Sequence, residues 1–181
     1  MYRRECLPWA AKHASVFAPK KYEFIHFEGP TVKSLDRALQ LQGHDQPIAL
    51  KTSCRYLGVI IDKYLTWLPH LKTVEARAYS AIAAMRRSGN SAWGLTLKQQ
   101  RQIYNTVVLP ALTFACSAWT CNDGRKGSKT REEAKLAILR RIQKEAALVI
   151  TSAFRRTVGA ALDILAHTPP VEQKLASLAV S

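Results

Sequence analysis

The sequence predicts an α+β fold that is mostly helical, in which short strands and a hairpin come first and a helical bundle follows. Two observations predict this class. Aromatic and β-branched residues gather in short runs up to Asp62, as they do in strands. Beyond Asp62, apolar residues recur at helical spacing over long stretches. Because strands precede helices instead of alternating with them, the order is that of an α+β protein, and 181 residues are enough to bury a core.

The first predicted elements are a helix end and a strand. Residues 9–13 are interpreted as the last turns of a helix, which ends because Pro19 disfavours the helical conformation of Ala18. Residues 22–27 are rich in aromatic and β-branched side chains and predict a short strand.

A loop and a hairpin are expected next. For residues 31–46 a loop is favoured over a short helical piece around Leu35, because Gly43 and polar residues follow. Residues 47–51 and 55–61 are extended runs, and the three residues between them predict an antiparallel hairpin with a short turn.

Three helices are predicted after the hairpin. Residues 70–88 combine helical apolar spacing with basic residues and a glycine at the carboxyl end. A second helix begins at Thr96, which forms a capping-box pattern with Gln99. Residues 107–119 are apolar on all sides and predict a buried helix, which Pro110 is expected to kink or divide.

The last third predicts a loop and two more helices. Residues 122–130 contain glycines and basic residues and are interpreted as a flexible loop. Residues 132–150 predict a helix with one apolar and one basic face. A shorter helical piece containing residues 160–165 is expected to end at the proline pair 169–170.

Charge and cysteine spacing limit the classes of function. Lys and Arg number 27 against 13 Asp and Glu, a formal net charge of +14, which favours a polyanion or an anionic membrane surface as partner. Nucleic acid is preferred over a basic protein that merely stays soluble, because the positive charge recurs along several elements. The four cysteines lack the spacing of a zinc site and predict free thiols in an intracellular protein, with nucleus or cytoplasm left open. Residues 107–119 are too short for a membrane span, so no membrane partner is expected.

One stretch resembles a known family. Residues 55–70 read Arg-Tyr-Leu-Gly-Val-Ile-Ile-Asp-Lys-Tyr-Leu-Thr-Trp-Leu-Pro-His. They resemble the end of the palm in the reverse transcriptases of non-LTR (LINE-like) retrotransposons, whose primer-gripping hairpin carries an aromatic-Leu-Gly sequence and later an Asp, a Trp and a His. Further landmarks extend the resemblance from Trp9 to the proline pair 169–170, in the family's order: residues 9–13 and 17–27, Trp93-Gly94, residues 101–110, Trp119 and residues 153–157.

The resemblance implies a division of the chain and several site residues. Residues 1–66 would be the carboxy-terminal remnant of the palm, residues 67–168 the thumb and connection, and residues 169–181 a tail. Lys21 would donate a proton to the departing pyrophosphate, although it could equally be a solvated surface lysine. Tyr56, Leu57 and Gly58 would form the primer grip, unless Gly58 only marks a bulge among ordinary sheet residues.

Basic residues on the predicted helices would contact phosphates of the bound duplex, although each taken singly could belong to a solvated face. They are Lys72, Arg77, Arg86, Arg87, Arg140, Arg141, Arg155 and Arg156. Trp67, Trp93 and Trp119 could stack on bases, but a place in the core is favoured for each. His70 is interpreted as a structural residue near a helix start, and His26 as a strand residue.

The carboxylates of a polymerase site are not clustered in this sequence. The family holds two divalent ions with an aromatic-x-Asp-Asp turn and an earlier Asp, whereas no two aspartates are adjacent here. In the family a lysine-bearing strand follows the catalytic carboxylates, and residues 17–27 with Lys21 resemble it. Because this segment begins near Met1, the Asp-Asp pair is expected to precede the chain. The chain would need no cofactor of its own, and Mg²⁺ would belong to the complete parent enzyme.

The resemblance therefore implies a fragment of an RNA-directed DNA polymerase. The fragment would bind RNA template and DNA primer, would be inactive alone, and would need the missing palm and fingers of its parent as partners. Two alternatives stay open. The chain could be a stand-alone basic helical module that binds RNA or DNA, or the product of a decayed element with no function of its own.

Overall fold

The structure is a computed structural model that describes residues 6–16, 18, 21–27, 47–89, 94–120 and 128–179. Contacts divide the chain into two compact units, Met1–Thr66 and Trp67–Ser181. Helices account for most of the described residues, and the strands are short. The predicted α+β class with mainly helical content is confirmed. That the units correspond to a palm remnant and a thumb stays a prediction.

The described residues of the first unit form one α-helix and four strands. Helix α1 spans Leu7–Lys12 with Pro8 in its first turn, where a missing N–H costs nothing. Strand β1 (Phe24–Ile25) pairs in parallel with β2 (Leu50–Lys51). Strands β3 (Ser53–Tyr56) and β4 (Val59–Asp62) form an antiparallel hairpin. The loop expected over residues 31–46 lies outside the described residues.

The hairpin differs from its prediction. Residues 47–51 were expected to pair with residues 55–61, but that pairing is wrong, because β3 pairs with β4 and the turn lies inside the second run. The backbone φ angles are 47° at Leu57 and 87° at Gly58, and two consecutive positive values are those of a two-residue type I′ turn. Tyr56 and Leu57 precede Gly58 and three β-branched apolar residues follow it, so hydrophobic periodicity did not reveal the turn.

The second unit begins with helix α2, Leu68–Arg87, which confirms the helix predicted over residues 70–88. Its inner face is buried through His70, Leu71, Val74, Ala78, Ile82 and Met85. Helix α3 (Leu97–Ile103) begins with a complete capping box. The Gln99 backbone N–H donates to Thr96 Oγ1 at 3.4 Å, and the Thr96 N–H donates to Gln99 Oε1 at 2.9 Å.

Pro110 is accommodated by a change of helix type. Helix α3 continues into a π-helical turn over Tyr104–Val108 and then into α4, Leu109–Thr113, which has Pro110 in its first turn. Proline inside an α-helix removes a backbone hydrogen bond, and its ring clashes with the preceding turn. The wider π-helical turn before Pro110 leaves room for the ring. The helix is then interrupted at Ala115, where φ is 54°, and helix α5 follows over Cys116–Trp119. A division of this segment was expected at Pro110, but it lies at Ala115, and the exposed side chains of Val107 and Phe114 show that the segment is not buried on all sides.

Three further helices follow among the described residues of this unit: α6 (Ser128–Thr151), α7 (Gly159–Ala166) and α8 (Val171–Ala179). Residues 128–130 were expected in a loop and instead belong to α6. Val171 and Leu175 of α8 are buried, so residues beyond the proline pair 169–170 pack into the unit. The core draws residues from α2 and from α4 to α8, including Leu71, Leu112, Trp119, Leu139, Ile142 and Leu162. In the described part of the chain, no helix is long and apolar enough to span a membrane.

Candidate nucleic-acid interface

The three residues predicted to form a primer grip lie at the tip of the hairpin, where two of them are exposed. Tyr56 is 64% exposed and Leu57 is 79% exposed, while Gly58 is partly buried. Glu23 secures the strands behind the turn, since its carboxylate accepts from Lys51 Nζ at 2.6 Å and from the Arg55 backbone N–H at 3.3 Å. The hydrogen bond from Lys51 lowers the pKa of the Glu23 carboxyl. These hydrogen bonds thus hold together the strands that carry the exposed tip.

Asp62 fixes the exit from the hairpin. Its carboxylate accepts hydrogen bonds from the backbone N–H and the hydroxyl of Thr66, both at 2.9 Å. The side chain is 7% exposed. Asp62 was noticed in the sequence only as a landmark of the resemblance, and the structure gives it the role of a turn-forming residue.

His70 and Trp119 hold the start of α2 against the helix break at Ala115. His70 is 0% exposed and lies beside the rings of Phe114 and Trp119, with centroid distances of 6.3 and 6.4 Å. Trp119 Nε1 donates to the Phe114 carbonyl at 2.9 Å. Burial lowers the pKa of the His70 imidazole, although a hydrogen bond with the same carbonyl opposes the shift. The structure places His70 in the interior, as expected for a structural residue.

Three further residues singled out in the sequence are Lys21, Trp67 and Trp93. Lys21 is exposed in a short turn, three residues before β1, with its backbone N–H donating to Ala18 at 3.1 Å. It lies outside β1, just as it lies outside the strand predicted over residues 22–27, and its role stays a prediction. Trp67 packs partly buried against the core of the second unit, whereas Trp93 lies outside the described residues.

The outer face of α2 carries cations that have no recorded ion pair with another described residue. Lys72, Arg77 and Arg87 are exposed, and the ion pairs within the described ranges involve none of them. Lys72 and Arg87 lie on the same helix face as Ala76, Ser80 and Ala83, by helical spacing. We call these residues, together with Arg77, the α2 face.

Arg140 and Arg141 of α6, in contrast, form ion pairs. Arg140 binds Glu133 at 2.5 Å and also Glu172 of α8, and Arg141 binds Glu75 of α2. Arg86, at the end of α2, makes a longer contact of 3.4 Å with Glu145 of α6. We call these the paired arginines. Their guanidinium groups join helices, and a phosphate would have to compete with a carboxylate for them.

Arg155 and Arg156 lie in the turn between α6 and α7. Both side chains are exposed and, like the cations of the α2 face, have no ion pair recorded with any described residue. The predicted phosphate contacts thus divide into the α2 face, the paired arginines and this turn. The structure brings neither all eight basic residues into one patch nor any of them into the core.

The comparisons with known proteins identify relatives of the chain. Two curated relatives are retrotransposon proteins of Drosophila melanogaster. One is named as a 115 kDa protein of the type-1 retrotransposable element R1DM and is 23% identical over 172 residues, which are 95% of this chain. The other carries the name RNA-directed DNA polymerase from transposon BS and is 28% identical over 113 residues, 61% of this chain. The predicted resemblance to non-LTR retrotransposon polymerases is confirmed.

The chain spans only 16% and 12% of the lengths of these two relatives. No family model matches the chain, and no solved structure matches it. The roles of the individual site residues, from Lys21 to Arg156, stay predictions.

Carboxylates in the described part of the chain do not gather into a metal site. No group of three or more His, Cys, Asp or Glu side chains there could hold a metal ion. The Asp62 carboxylate binds Thr66, and Asp163 Oδ1 accepts from Gln143 Nε2 at 2.9 Å. Asp36, Asp45 and Asp123 lie outside the described residues. The described donors therefore do not fit the Mg²⁺ ions of a polymerase site.

Proposed function

We propose that this chain is the end of the palm and the thumb of a non-LTR retrotransposon reverse transcriptase, and that it holds the primer–template duplex. The main support for this proposal is the α2 face, which is exposed and whose cations form no ion pair with another described residue. The chain is also related to retrotransposon proteins, one of them named as a polymerase. A net charge of +14 supports the same class of partner.

The dimensions of the α2 face suit a nucleic-acid backbone. Lys72 and Arg87 are separated by fifteen residues, which is about 22 Å along a helix. Ala76, Ser80 and Ala83 lie between them, and such short side chains let a sugar-phosphate chain approach the helix closely. Contacts of lysine and arginine with phosphates are independent of sequence and weakened by salt, as a polymerase that copies any template requires.

The hairpin tip of the first unit is proposed as a separate contact with the primer strand. A non-glycine residue in the left-handed conformation costs about 1 kcal/mol, and Leu57 adopts it with φ of 47° while 79% exposed. The type I′ turn requires this backbone conformation, but glycine or asparagine would adopt it at a lower cost, and the exposed leucine side chain gains little from packing. An outlier of this kind supports a functional interpretation. Tyr56, Leu57 and Gly58 would contact the primer strand, with Gly58 allowing close approach.

Chemistry would be supplied elsewhere in the parent polymerase. The Mg²⁺ ions of the complete enzyme would provide electrostatic stabilisation of phosphoryl transfer, and the donors described here do not hold them. Lys21 is the one residue proposed to take part, through an ammonium that can donate a proton to pyrophosphate. The chain alone is proposed to be inactive, and template-dependent extension of a primer by the purified chain would contradict this.

Binding of an RNA–DNA duplex, measured at several salt concentrations, tests the proposal. The chain is expected to bind with a steep salt dependence. The variant Lys72→Ala/Arg77→Ala/Arg87→Ala, the α2 triple variant, should lose about 0.9 in the log–log salt slope for each phosphate contact removed. A matched variant, Lys98→Ala/Arg101→Ala/Lys174→Ala, removes the same charge from α3 and α8. Equal losses in the two variants, or a flat salt response, would contradict the proposal.

A further inference from the structure

The turn between α6 and α7 holds an aromatic side chain outward. Phe154 is 89% exposed, although phenylalanine is normally buried. The backbone around it is fixed: Thr151 Oγ1 donates to the Ala147 carbonyl at 2.8 Å, and the Thr157 N–H donates to the Phe154 carbonyl at 2.9 Å. The ring is therefore presented by a defined turn.

Two cations follow this ring directly. Arg155 and Arg156 are exposed, and neither has an ion pair recorded within the described part of the chain. Arginine can bind a phosphate through two parallel hydrogen bonds. An exposed aromatic ring beside unpaired guanidinium groups is the combination that binds unpaired bases and the phosphates between them.

A cleft lies beside the turn. It has a volume of about 480 Å³, within the range of small-molecule sites. Its lining combines apolar side chains with charged ones: Leu148, Val149, Ala153, Arg86, Arg155 and Glu145. The apolar part suits the face of a base, and Arg155, which has no ion pair with another described residue, suits a phosphate, whereas Arg86 is paired with Glu145. The Glu145 carboxylate could accept a hydrogen bond from an exocyclic amino group of a base.

We propose that the turn 153–157 and the cleft beside it bind single-stranded nucleic acid, with an unpaired base stacked on Phe154 and flanking phosphates held by Arg155 and Arg156. The occupant is a polyanion because the uncompensated charge here is positive. It is single-stranded because the face of a base is accessible to a ring only where the base is unstacked. The inference rests on the proposed function in that both require a nucleic-acid partner, but it concerns a different surface from the α2 face.

Fluorescence of a short single-stranded oligonucleotide carrying 2-aminopurine tests the proposal with the full chain. Stacking of the labelled base should change the emission on binding. Phe154→Leu keeps an apolar side chain and removes the ring, so single-strand affinity should fall about 5-fold or more and the emission change should disappear. Phe154→Tyr should retain both. Ile164→Ala, a matched loss of exposed apolar surface on α7, should leave binding unchanged.

The results separate this proposal from the duplex proposal. Unchanged single-strand binding by Phe154→Leu, or an equal loss in Ile164→Ala, would overturn the stacking site. Duplex binding without single-strand binding would also overturn it while leaving the proposed function intact. Single-strand binding that depends on Phe154, in a chain that binds no duplex, would support the turn site and contradict the α2 face. Arg155→Ala/Arg156→Ala should reduce the salt slope for single strands by about 0.7 per lost contact.

Discussion

The α2 face and the paired arginines both contain basic residues, but those of the α2 face form no ion pair with another described residue, whereas the paired arginines bind carboxylates. On α2, Lys72, Arg77 and Arg87 point outward with short side chains between Lys72 and Arg87. On α6, Arg140 and Arg141 bind carboxylates of neighbouring helices. A basic residue in a sequence is therefore a cation available to a phosphate only if the fold leaves it unpaired. Neutralising the carboxylates, removing the cations and titrating a nearby histidine are three ways to probe this difference.

Neutralising the carboxylates should convert the paired arginines into phosphate contacts. The variant Glu75→Gln/Glu133→Gln/Glu145→Gln/Glu172→Gln leaves Arg86, Arg140 and Arg141 without ionised partners. The log–log salt slope for duplex binding should rise by about 0.9 for each arginine that then reaches a phosphate. An equal rise in the charge-matched variant Glu28→Gln/Asp36→Asn/Asp45→Asn/Asp123→Asn would show that net charge, not pairing, governs binding.

Removing an arginine should affect thermal stability differently in the paired arginines and in the α2 face. Arg141→Ala breaks a contact between α6 and α2, so the midpoint of thermal unfolding should fall slightly. Arg77→Ala breaks no recorded ion pair and removes one positive charge from a basic chain, so the midpoint should stay the same or rise. Calorimetry of the two variants beside the unmodified chain checks this, and a larger loss in Arg77→Ala would contradict the assignment.

The smallest expected effect concerns His70. Burial, and in the same direction the charge of Arg77, lower the pKa of His70 from its ordinary value of 6.5. The unfolded chain then binds a proton at a higher pH than the folded chain. Unfolding free energy should therefore fall as pH drops below about 6.5, and level off below the folded-state pKa. NMR titration of the His70 ring should show a higher pKa in Arg77→Ala, and an unchanged pKa in Arg140→Ala.

The sequence predicted the features that depend on neighbours along the chain. Helix α2 followed from apolar spacing, and the capping box at Thr96 followed from the Gln99 three residues later. The turn at Leu57 and the break at Ala115 were missed because leucine and alanine rarely adopt positive φ. The ion pairs of the arginines were not predicted, for a different reason. Arg141 and Glu75 are 66 residues apart, so only the packing of α6 on α2 brings them together.

The candidate site follows the same pattern. Tyr56, Leu57 and Gly58 were found through a resemblance, and their exposure on a turn was not foreseen. Phe154 was seen only as part of a landmark, because an apolar residue is normally expected in a core. The nearest sequence signal was its position between a helix end and two arginines.

The salt dependence of duplex binding in two variants side by side tests the central claim most directly. The α2 triple variant should lose roughly 2 to 3 in slope, whereas Arg140→Ala/Arg141→Ala should change it by less than one contact, about 0.9. Such a difference would show that the α2 face holds the nucleic acid and that the arginines of α6 hold helices. A loss in the α6 variant equal to or larger than that in the α2 triple variant would contradict the claim.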